Sequence, residues 1–297
     1  MSKVYAIVTE RIIKALESGV VPWRRSWRTG VGIGEGSPVS LSTGKAYRGV
    51  NSLMLSSPVS GHSSPYWGTF RQIQERGGMV RKGEKASPCI FWKLNKVKEN
   101  GKEKTVPFLL YYSVFNAEQC DGLELPKPKA LREFVPIDEC ERVVSDYCAR
   151  SGVTIAENGN GRAFYRPATD SVHMPVKGAF VSDEAWYSVL THELAHSTGH
   201  PKRLSRDMSG GMGSKAYARE ELVAEIGSAF LCAELGIDTP AIQENEAAYL
   251  QGWISCLKND DRAIVVAAGG AQRAADLILN RVAKEEAKEE SPELVAA

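Results

Sequence analysis

Hydrophobic positions follow two different spacings along the chain. In the C-terminal part, apolar residues recur every three to four positions, which is the spacing of one helix face. This pattern predicts helices over 137–150, 182–199, 219–235, 243–258 and 261–282. The same spacing predicts an N-terminal helix from Val4 to Leu16, ending at Gly19.

Strands are predicted where apolar residues form short runs. The runs 89–92 and 108–115 predict two buried strands, and the polar segment between them contains the hairpin signal Asn100-Gly101. Shorter strands are predicted at 153–155, 163–165 and 171–174, with Thr169-Asp170 in the turn between the last two. Together, the helices and strands predict an α+β fold.

Closely spaced prolines mark a boundary in the middle of the chain. Pro126, Pro128 and Pro136 interrupt both helix and strand, so this segment is predicted to be an extended linker. We predict an N-terminal domain over 1–125, a linker over 126–136 and a C-terminal domain over 137–283. Residues 284–297 are rich in Glu, Lys and Ala and are predicted to form a flexible tail.

Composition is that of a soluble globular protein, with 43% hydrophobic and 25% charged residues. No apolar run reaches the roughly 18 residues of a membrane-spanning helix, so no membrane partner is expected. The first residues lack the shape of a signal peptide. The six cysteines form no Cys-x-x-Cys pair and lie mostly in apolar segments, which favours reduced thiols and a cytoplasmic location.

The net charge of +1 conceals an uneven distribution. Residues 1–125 contain 18 Lys and Arg against 10 Asp and Glu, whereas residues 126–297 contain 19 against 26. A basic N-terminal half indicates an anionic partner. It also argues against DNA mimicry by an acidic surface, because the negative charge is spread along the C-terminal half.

The segment His192-Glu193-Leu194-Ala195-His196 has the spacing of a zinc site. On a helix, His192 and His196 lie one turn apart on the same face, so both imidazoles can reach one Zn²⁺. Glu193 lies about 100° around the helix from His192, where its carboxylate can take a proton from a metal-bound water. The alternative interpretation is a helix with two solvent-facing histidines.

A catalytic zinc site needs a third protein ligand. On the predicted helix 219–235, Glu225 lies among small and apolar residues, so we favour Glu225 as that ligand. Glu221 is only about 40° away around the helix and is the main alternative, whereas Glu220 and Glu234 are expected to point elsewhere. His200 follows Gly199 two residues too early for the metzincin pattern, and remains a weaker candidate.

Aromatic and basic residues alternate in the N-terminal half. Single-stranded nucleic acid is held by cations on phosphates and by rings stacked on bases, and no motif for reading duplex DNA is present. The alternative is that some tryptophans of the N-terminal half belong to the core. The candidate DNA-binding residues are Trp23, Arg24, Arg25, Trp27, Lys45, Tyr47, Arg48, Asn51, Arg71, Arg81, Lys82 and Lys85.

Several motifs in both halves resemble those of one family. They are Pro22-Trp23, the segments 43–51, 67–70 and 80–85, and in the C-terminal half 192–200 and 220–227. In this combination the chain resembles the ArdC-type antirestriction proteins of conjugative plasmids, whose N-terminal region is shared with TraC-type plasmid primases.

The resemblance implies an N-terminal domain that binds single-stranded DNA and a C-terminal zincin-like metallopeptidase domain. It also implies protection of incoming plasmid DNA from host restriction. The resemblance does not identify a peptidase substrate, and we expect one among the host proteins of the restriction machinery. An alternative is a non-catalytic protein that binds DNA or blocks a restriction enzyme sterically and holds a purely structural metal. Glu193 favours catalysis, because a structural site needs no general base.

Overall fold

The structure is a computed structural model of the 297-residue chain. It describes residues 3–18, 21–23, 38–99, 102–125, 136–158, 162–180, 182–210, 214–237 and 246–281. The predicted linker, apart from Pro136, and the predicted tail at 284–297 lie outside the described residues. The domain boundaries at 125 and 137 therefore stay a prediction.

The N-terminal half is built around a long antiparallel hairpin. The sheet order is β1-β2-β5-β4, and β3 and β6 pair separately. The predicted N-terminal helix and the two predicted strands are confirmed, and both strands extend further into the hairpin than the apolar runs indicate. The elements are α1 (Lys3–Glu17), β1 (Val39–Ser40), α2 (Val50–Leu55), α3 (Ser57–Ser60), β2 (Tyr66–Gly68), α4 (Phe70–Glu75), β3 (Met79–Val80), β4 (Ser87–Glu99), β5 (Lys102–Asn116) and β6 (Cys120–Asp121).

Helix α2 covers the outer edge of β4 through one side chain. The Asn51 amide donates to the Ile90 carbonyl at 2.7 Å, and the Ile90 backbone N–H donates to the Asn51 side-chain oxygen at 2.8 Å. An edge strand otherwise presents unpaired backbone groups to solvent. Asn51 therefore satisfies part of the β4 edge.

The C-terminal half combines helices with a three-stranded sheet in the order β7-β9-β8. The predicted helices and strands are confirmed, although the last helix ends before the predicted residue 282, because Asn280 adopts a left-handed φ of 53°. The elements are α5 (Pro136–Ser151), β7 (Thr154–Asn158), β8 (Phe164–Arg166), β9 (Ser171–Pro175), α6 (Asp183–Ser197), α7 (Lys215–Glu234), α8 (Glu246–Asn259) and α9 (Ala263–Ile278).

One apolar cluster spans the two halves of the chain. It joins residues of α1 and α2 to residues of α7, α8 and α9, including Ile12, Leu53, Ile226 and Ile264. At its rim, Arg48 forms an ion pair with the buried Asp276 of α9. The α+β fold is confirmed, but the sequence pattern does not predict that α1 packs against the C-terminal helices.

A second apolar cluster lies within the C-terminal half. It packs α5, the three-stranded sheet, α6 and parts of α7 and α9 together. This cluster fixes α6 and α7 relative to each other. Among the described helices, the combination of length and apolar character needed to cross a membrane is not found.

Candidate metal centre

Helix α6 begins at a side-chain cap and buries most of one face. The Ser182 hydroxyl accepts a hydrogen bond from the Ala185 backbone N–H at 3.2 Å, and the acidic Asp183 and Glu184 lie in the first turn. Both features favour a helix start at this point. The helix then continues without interruption through His192 and His196, which confirms the helical spacing of the two histidines.

Helix α7 approaches α6 closely because small residues lie between them. A Cβ atom on Gly227 would come within 3.3 Å of the Ala195 Cβ, so a side chain at 227 would push the helices apart. Nearby, the Ser228 hydroxyl lies 2.8 Å from the Thr191 hydroxyl and donates to the Ser188 carbonyl at 3.1 Å. The close contact brings the carboxylates of α7 to the histidines.

The two histidines and Glu221 form a compact set of donor atoms. The Nε2 atoms of His192 and His196 are 3.1 Å apart, and the Glu221 carboxylate oxygens lie 3.6 and 3.5 Å from them. Ligands about 2.0–2.1 Å from a tetrahedral metal are roughly 3.3 Å from one another. Within the described part of the chain, these three residues form the one His, Cys, Asp or Glu group of metal-binding dimensions.

Glu225 occupies a different position from the one expected. Its carboxylate lies 4.0 Å from Nδ1 of His192, on the opposite side of the ring from the Nε2 atom that faces His196 and Glu221. The arrangement therefore favours Glu221 over Glu225 as the third ligand. Glu225 is instead suited to orient the His192 ring, since histidine ligands usually donate their second N–H to a carboxylate or carbonyl.

His200 lies outside the donor set. Its Nδ1 accepts a hydrogen bond from the Lys202 backbone N–H at 3.2 Å and is 4.0 Å from the Asp170 carboxylate. The turn after α6 has directed this side chain towards the β8–β9 connection. Its position does not favour ligation together with His192 and His196.

Glu220 and Arg206 are functional candidates that the sequence did not reveal. The expectation that Glu220 points elsewhere is wrong, because its carboxylate lies 3.1 Å from Nδ1 of His196. Arg206 donates two hydrogen bonds to this carboxylate, at 2.8 and 2.7 Å, and a further one to the Ala195 carbonyl at 2.8 Å. The helical angle alone did not predict this contact, because it depends on a loop residue that neutralises the buried carboxylate.

The electrostatics of the cluster favour a cation. Burial lowers the pKa of His196, but hydrogen bonds with Glu220 and Glu221 outweigh it and raise this pKa to about 10. Burial also lowers the pKa of His192, but the hydrogen bond with Glu221 outweighs burial, so this pKa is raised as well. Burial raises the pKa of Glu221, yet its two histidine partners hold it well below the usual range. The carboxylates thus stay ionised despite their burial.

Glu193 is buried next to the donor set. It follows His192 in the sequence of α6, and its negative charge contributes to the raised pKa of both histidines. Glu193 does not belong to the three-residue donor group. The structure thus has a buried carboxylate near the donor set that is not one of its members, and its role as a general base stays a prediction.

We expect Arg206→Gln to lower the affinity for a divalent metal by about tenfold, the low end of the range for outer partners of a ligand, because Arg206 acts on His196 only through Glu220. Without the guanidinium, the Glu220 carboxylate is less well fixed and holds the His196 ring less firmly. Competition with a metal-binding dye would measure the affinity. Lys202→Gln, an exposed change on the same loop, is the control. An unchanged affinity in Arg206→Gln would contradict this role.

Several candidate DNA-binding residues have structural partners. Trp23 is 5% exposed and packs against Trp253 in the shared cluster, with ring centroids 5.2 Å apart, which argues against its stacking on bases. Asn51 is held by the β4 edge, and Tyr47 packs against the cluster around Trp67. These side chains support the fold, and the sequence pattern could not separate them from surface residues.

The basic candidates divide into three groups. Arg48, Arg71 and Arg81 form ion pairs with Asp276, with Glu75, and with Glu84 and Asp121, respectively. The lysines Lys45, Lys82 and Lys85 are exposed on loops. Arg24, Arg25 and Trp27 lie outside the described residues. Among the nine described candidates, Trp23 is a core residue and Asn51 and the three arginines already have protein partners. The role of the candidates in DNA binding stays a prediction.

Comparisons with known proteins match both halves of the chain. A family model described as the N-terminal domain of anti-restriction factor ArdC matches residues 2–115, and a zincin-like metallopeptidase model matches residues 142–270. A DNA primase TraC of Escherichia coli is 38% identical over 92% of this chain, which spans only 26% of the primase. The uncharacterized protein y4eC of Sinorhizobium fredii (strain NBRC 101917 / NGR234) is 38% identical over 92% of this chain and 90% of its own length.

Two solved structures resemble the whole chain. The metal-free crystal structure of the antirestriction ArdC protein from the R388 plasmid has 39% sequence identity and a TM-score of 0.76, covering 94% of this chain and 98% of that one. The Mn(II)-bound structure of the same protein has 39% identity and a TM-score of 0.75, with coverage of 96% and 100%. Since both modules match in order and the R388 protein matches over nearly its full length, the chain belongs to the ArdC antirestriction family.

Proposed function

We propose that this protein is a metal-dependent antirestriction protein that protects incoming conjugative plasmid DNA from host restriction in the cytoplasm. Membership of the ArdC family supports the antirestriction role. The observation that carries the metal-dependent part is the donor set of His192, His196 and Glu221, with Glu193 beside it. We propose a zincin-type peptidase chemistry for this site and a host protein of the restriction machinery as its substrate.

The donor set fits a divalent metal. Two imidazole nitrogens and a carboxylate oxygen, all within 4.8 Å of one another, are the ligand types that zinc favours. Zn²⁺ is the proposed ion, and the Mn(II) of the R388 relative supports a divalent ion in general. A bound metal of this kind would supply a Lewis acid and lower the pKa of a coordinated water towards about 7.

The surrounding side chains have distinct tasks in this proposal. The Glu193 carboxylate accepts a proton from the water molecule that attacks a peptide carbonyl and then delivers this proton to the leaving amine. Glu220, 3.1 Å from Nδ1 of His196, holds that ring, and Glu225, 4.0 Å from Nδ1 of His192, is placed to orient the other ring. Arg206 fixes Glu220 through its paired hydrogen bonds, so the Nε2 atoms remain directed towards Glu221.

The N-terminal half is proposed to bring the protein to single-stranded plasmid DNA as it enters the recipient cell. Its excess of Lys and Arg over Asp and Glu supports attraction to phosphates. The match to the TraC primases over 92% of this chain supports an association with nucleic acid. Single-stranded DNA is thus the proposed partner of this half.

The experiment that tests the proposal compares Glu193→Gln with wild type in plasmid transfer into restricting and non-restricting recipients. We expect the variant to keep its metal, since Glu193 is not in the donor set, and to lose protection of the plasmid because the general base is missing. Metal content per chain is measured on the same preparations. Glu157→Gln, which makes the same chemical change at an exposed position of β7, should protect as wild type does.

Full protection by metal-loaded Glu193→Gln would contradict catalysis. It would support instead a protein that binds DNA or blocks a restriction enzyme sterically and uses the metal only for structure. Wild-type protein that remains free of zinc and other divalent ions after purification without chelator would remove the metal-dependent part of the proposal.

A further inference from the structure

One face of the β4–β5 hairpin presents aromatic rings that are half-exposed. Successive residues of a strand point to opposite faces, and the register pairs Ile90 with Tyr111 and Trp92 with Leu109. These four side chains therefore share a face. Trp92 and Tyr111 are both 46% exposed, and among the described residues neither has a ring–ring partner.

The same face continues along β5 towards β2. Tyr111, Ser113 and Phe115 alternate along the strand, and Phe70 at the start of α4 packs on Phe115 with ring centroids 6.5 Å apart. From Phe115 to the level of Trp92 is six residues of strand, which is about 20 Å. We call Phe70, Phe115, Tyr111 and Trp92 the aromatic row.

Residues next to the aromatic row are anchored in the apolar core. Ile90 and Leu109, the cross-strand partners of Tyr111 and Trp92, belong to the apolar cluster shared with α1 and α2. On the opposite face of the hairpin, Phe91 and Tyr112 pack on each other, with ring centroids 5.8 Å apart. That opposite face also carries Cys89 and Val114, which pack against Trp67. Of the hairpin rings exposed by more than 40%, Trp92 and Tyr111 therefore lie on the side of the row and Phe108 lies on the opposite face.

The charge of the hairpin matches an anionic ligand. Residues 93–104 contain five lysines and two glutamates. Lys93, the exposed residue that follows Trp92, pairs with Phe108 and therefore points to the face opposite the row. Aromatic rings beside an excess of cations are the combination that holds single strands, because each base offers a face for stacking and each phosphate a negative charge. A purely apolar protein partner would not require the lysines.

We propose that the aromatic row is the surface on which this protein binds single-stranded DNA, with bases stacked on Trp92 and Tyr111 and the backbone following the basic hairpin. This inference deepens the proposed function and rests on its single-stranded-DNA part. It assigns base stacking to the hairpin and not to the segment around Trp23.

The test measures equilibrium binding of a fluorescent oligo-dT to the full chain. Trp92→Ala and Tyr111→Ala should each weaken binding about tenfold, because each removes one stacking platform. Trp92→Phe retains a ring and should restore most of the affinity. Phe108→Ala is the matched control, since Phe108 is 43% exposed on the opposite face of the same hairpin and should change the affinity less than about twofold. Because these side chains are exposed, the variants should keep the circular dichroism of wild type.

The outcomes separate this inference from the proposed function. If wild type binds oligo-dT and both Trp92→Ala and Tyr111→Ala bind it with the same affinity, the inference is overturned, whereas the proposal of a single-stranded-DNA partner is kept. The same loss in Phe108→Ala would overturn the choice of face. Absence of oligo-dT binding by wild type would overturn both. A change from dimer to monomer in Trp92→Ala, measured by light scattering, would identify the row as a contact between copies of this chain and also overturn the inference.

Discussion

Glu221→Ala is expected to lower the affinity for zinc more than about 100-fold, beyond the range typical for loss of an outer partner. The reason is that Glu221 supplies the only carboxylate of the three-residue donor set in the described part of the chain, and its oxygens lie 3.5 and 3.6 Å from the two Nε2 atoms. Two imidazoles alone leave too few ligands for a tetrahedral site. Competition with a chromogenic chelator measures the affinity, and elemental analysis measures the zinc that remains.

The variants of the neighbouring carboxylates make the prediction specific. Glu225→Ala should lower the affinity for zinc by about 10- to 100-fold, because the change leaves the His192 ring less well oriented without removing a ligand. Glu234→Ala, at the far end of the same helix, should leave zinc affinity unchanged, since its carboxylate pairs with Arg281. Retention of zinc by Glu221→Ala and its loss from Glu225→Ala would return Glu225 to the position of third ligand.

Trp23→Ala is expected to destabilise the whole chain by about 3–5 kcal/mol, the usual range for removing a buried large aromatic side chain. Trp23 packs edge-on against Trp253 of α8 and belongs to the cluster shared by the two halves. A cavity at this point loosens α1 and α8 together. Urea unfolding followed by circular dichroism measures the change in the free energy of unfolding.

Trp23→Phe tests the cause of this loss. The indole Nε1 of Trp23 is buried without a hydrogen-bond partner among the described residues, and an unsatisfied buried donor costs about 1–3 kcal/mol. Phenylalanine keeps a ring in the cluster and removes that donor, so its cost should be much smaller than that of alanine. A stability of Trp23→Ala within about 1 kcal/mol of wild type would show that Trp23 does not contribute to a well-packed core.

The parts of the candidate site that depend on local spacing were predicted from sequence. His192 and His196 are one helical turn apart, and a helix fixes their shared face without reference to any other element. The third ligand depends on where α7 crosses α6, which is set by the contacts of Gly227 with Ala195 and of Ser228 with Thr191. The sequence predicted that the face of α7 carrying Glu221 and Glu225 meets the histidines. It did not predict that Glu221, one helical turn before Glu225, lies nearest to their Nε2 atoms, nor that Arg206 from a separate loop takes part.

The same distinction explains the N-terminal half. The strands at 89–92 and 108–115 were predicted because a continuous apolar run is a local signal. Composition could not tell that Trp23 is a core residue while Trp92 is half-exposed, because both lie beside basic residues in the sequence. Arg48 and Asn51 likewise have a polar character that suits DNA, yet Asp276 and the edge of β4 hold them.

The apolar cluster shared by α1, α2, α7, α8 and α9 has a consequence for how this protein can be passed between genes. A recombination event that cut the coding sequence between the two modules would expose apolar faces on both products, and each would lose part of its core. Selection would then favour inheritance of the pair as one piece. In agreement, the TraC primase, which is several times longer, aligns with 92% of this chain, so both modules are present together in it.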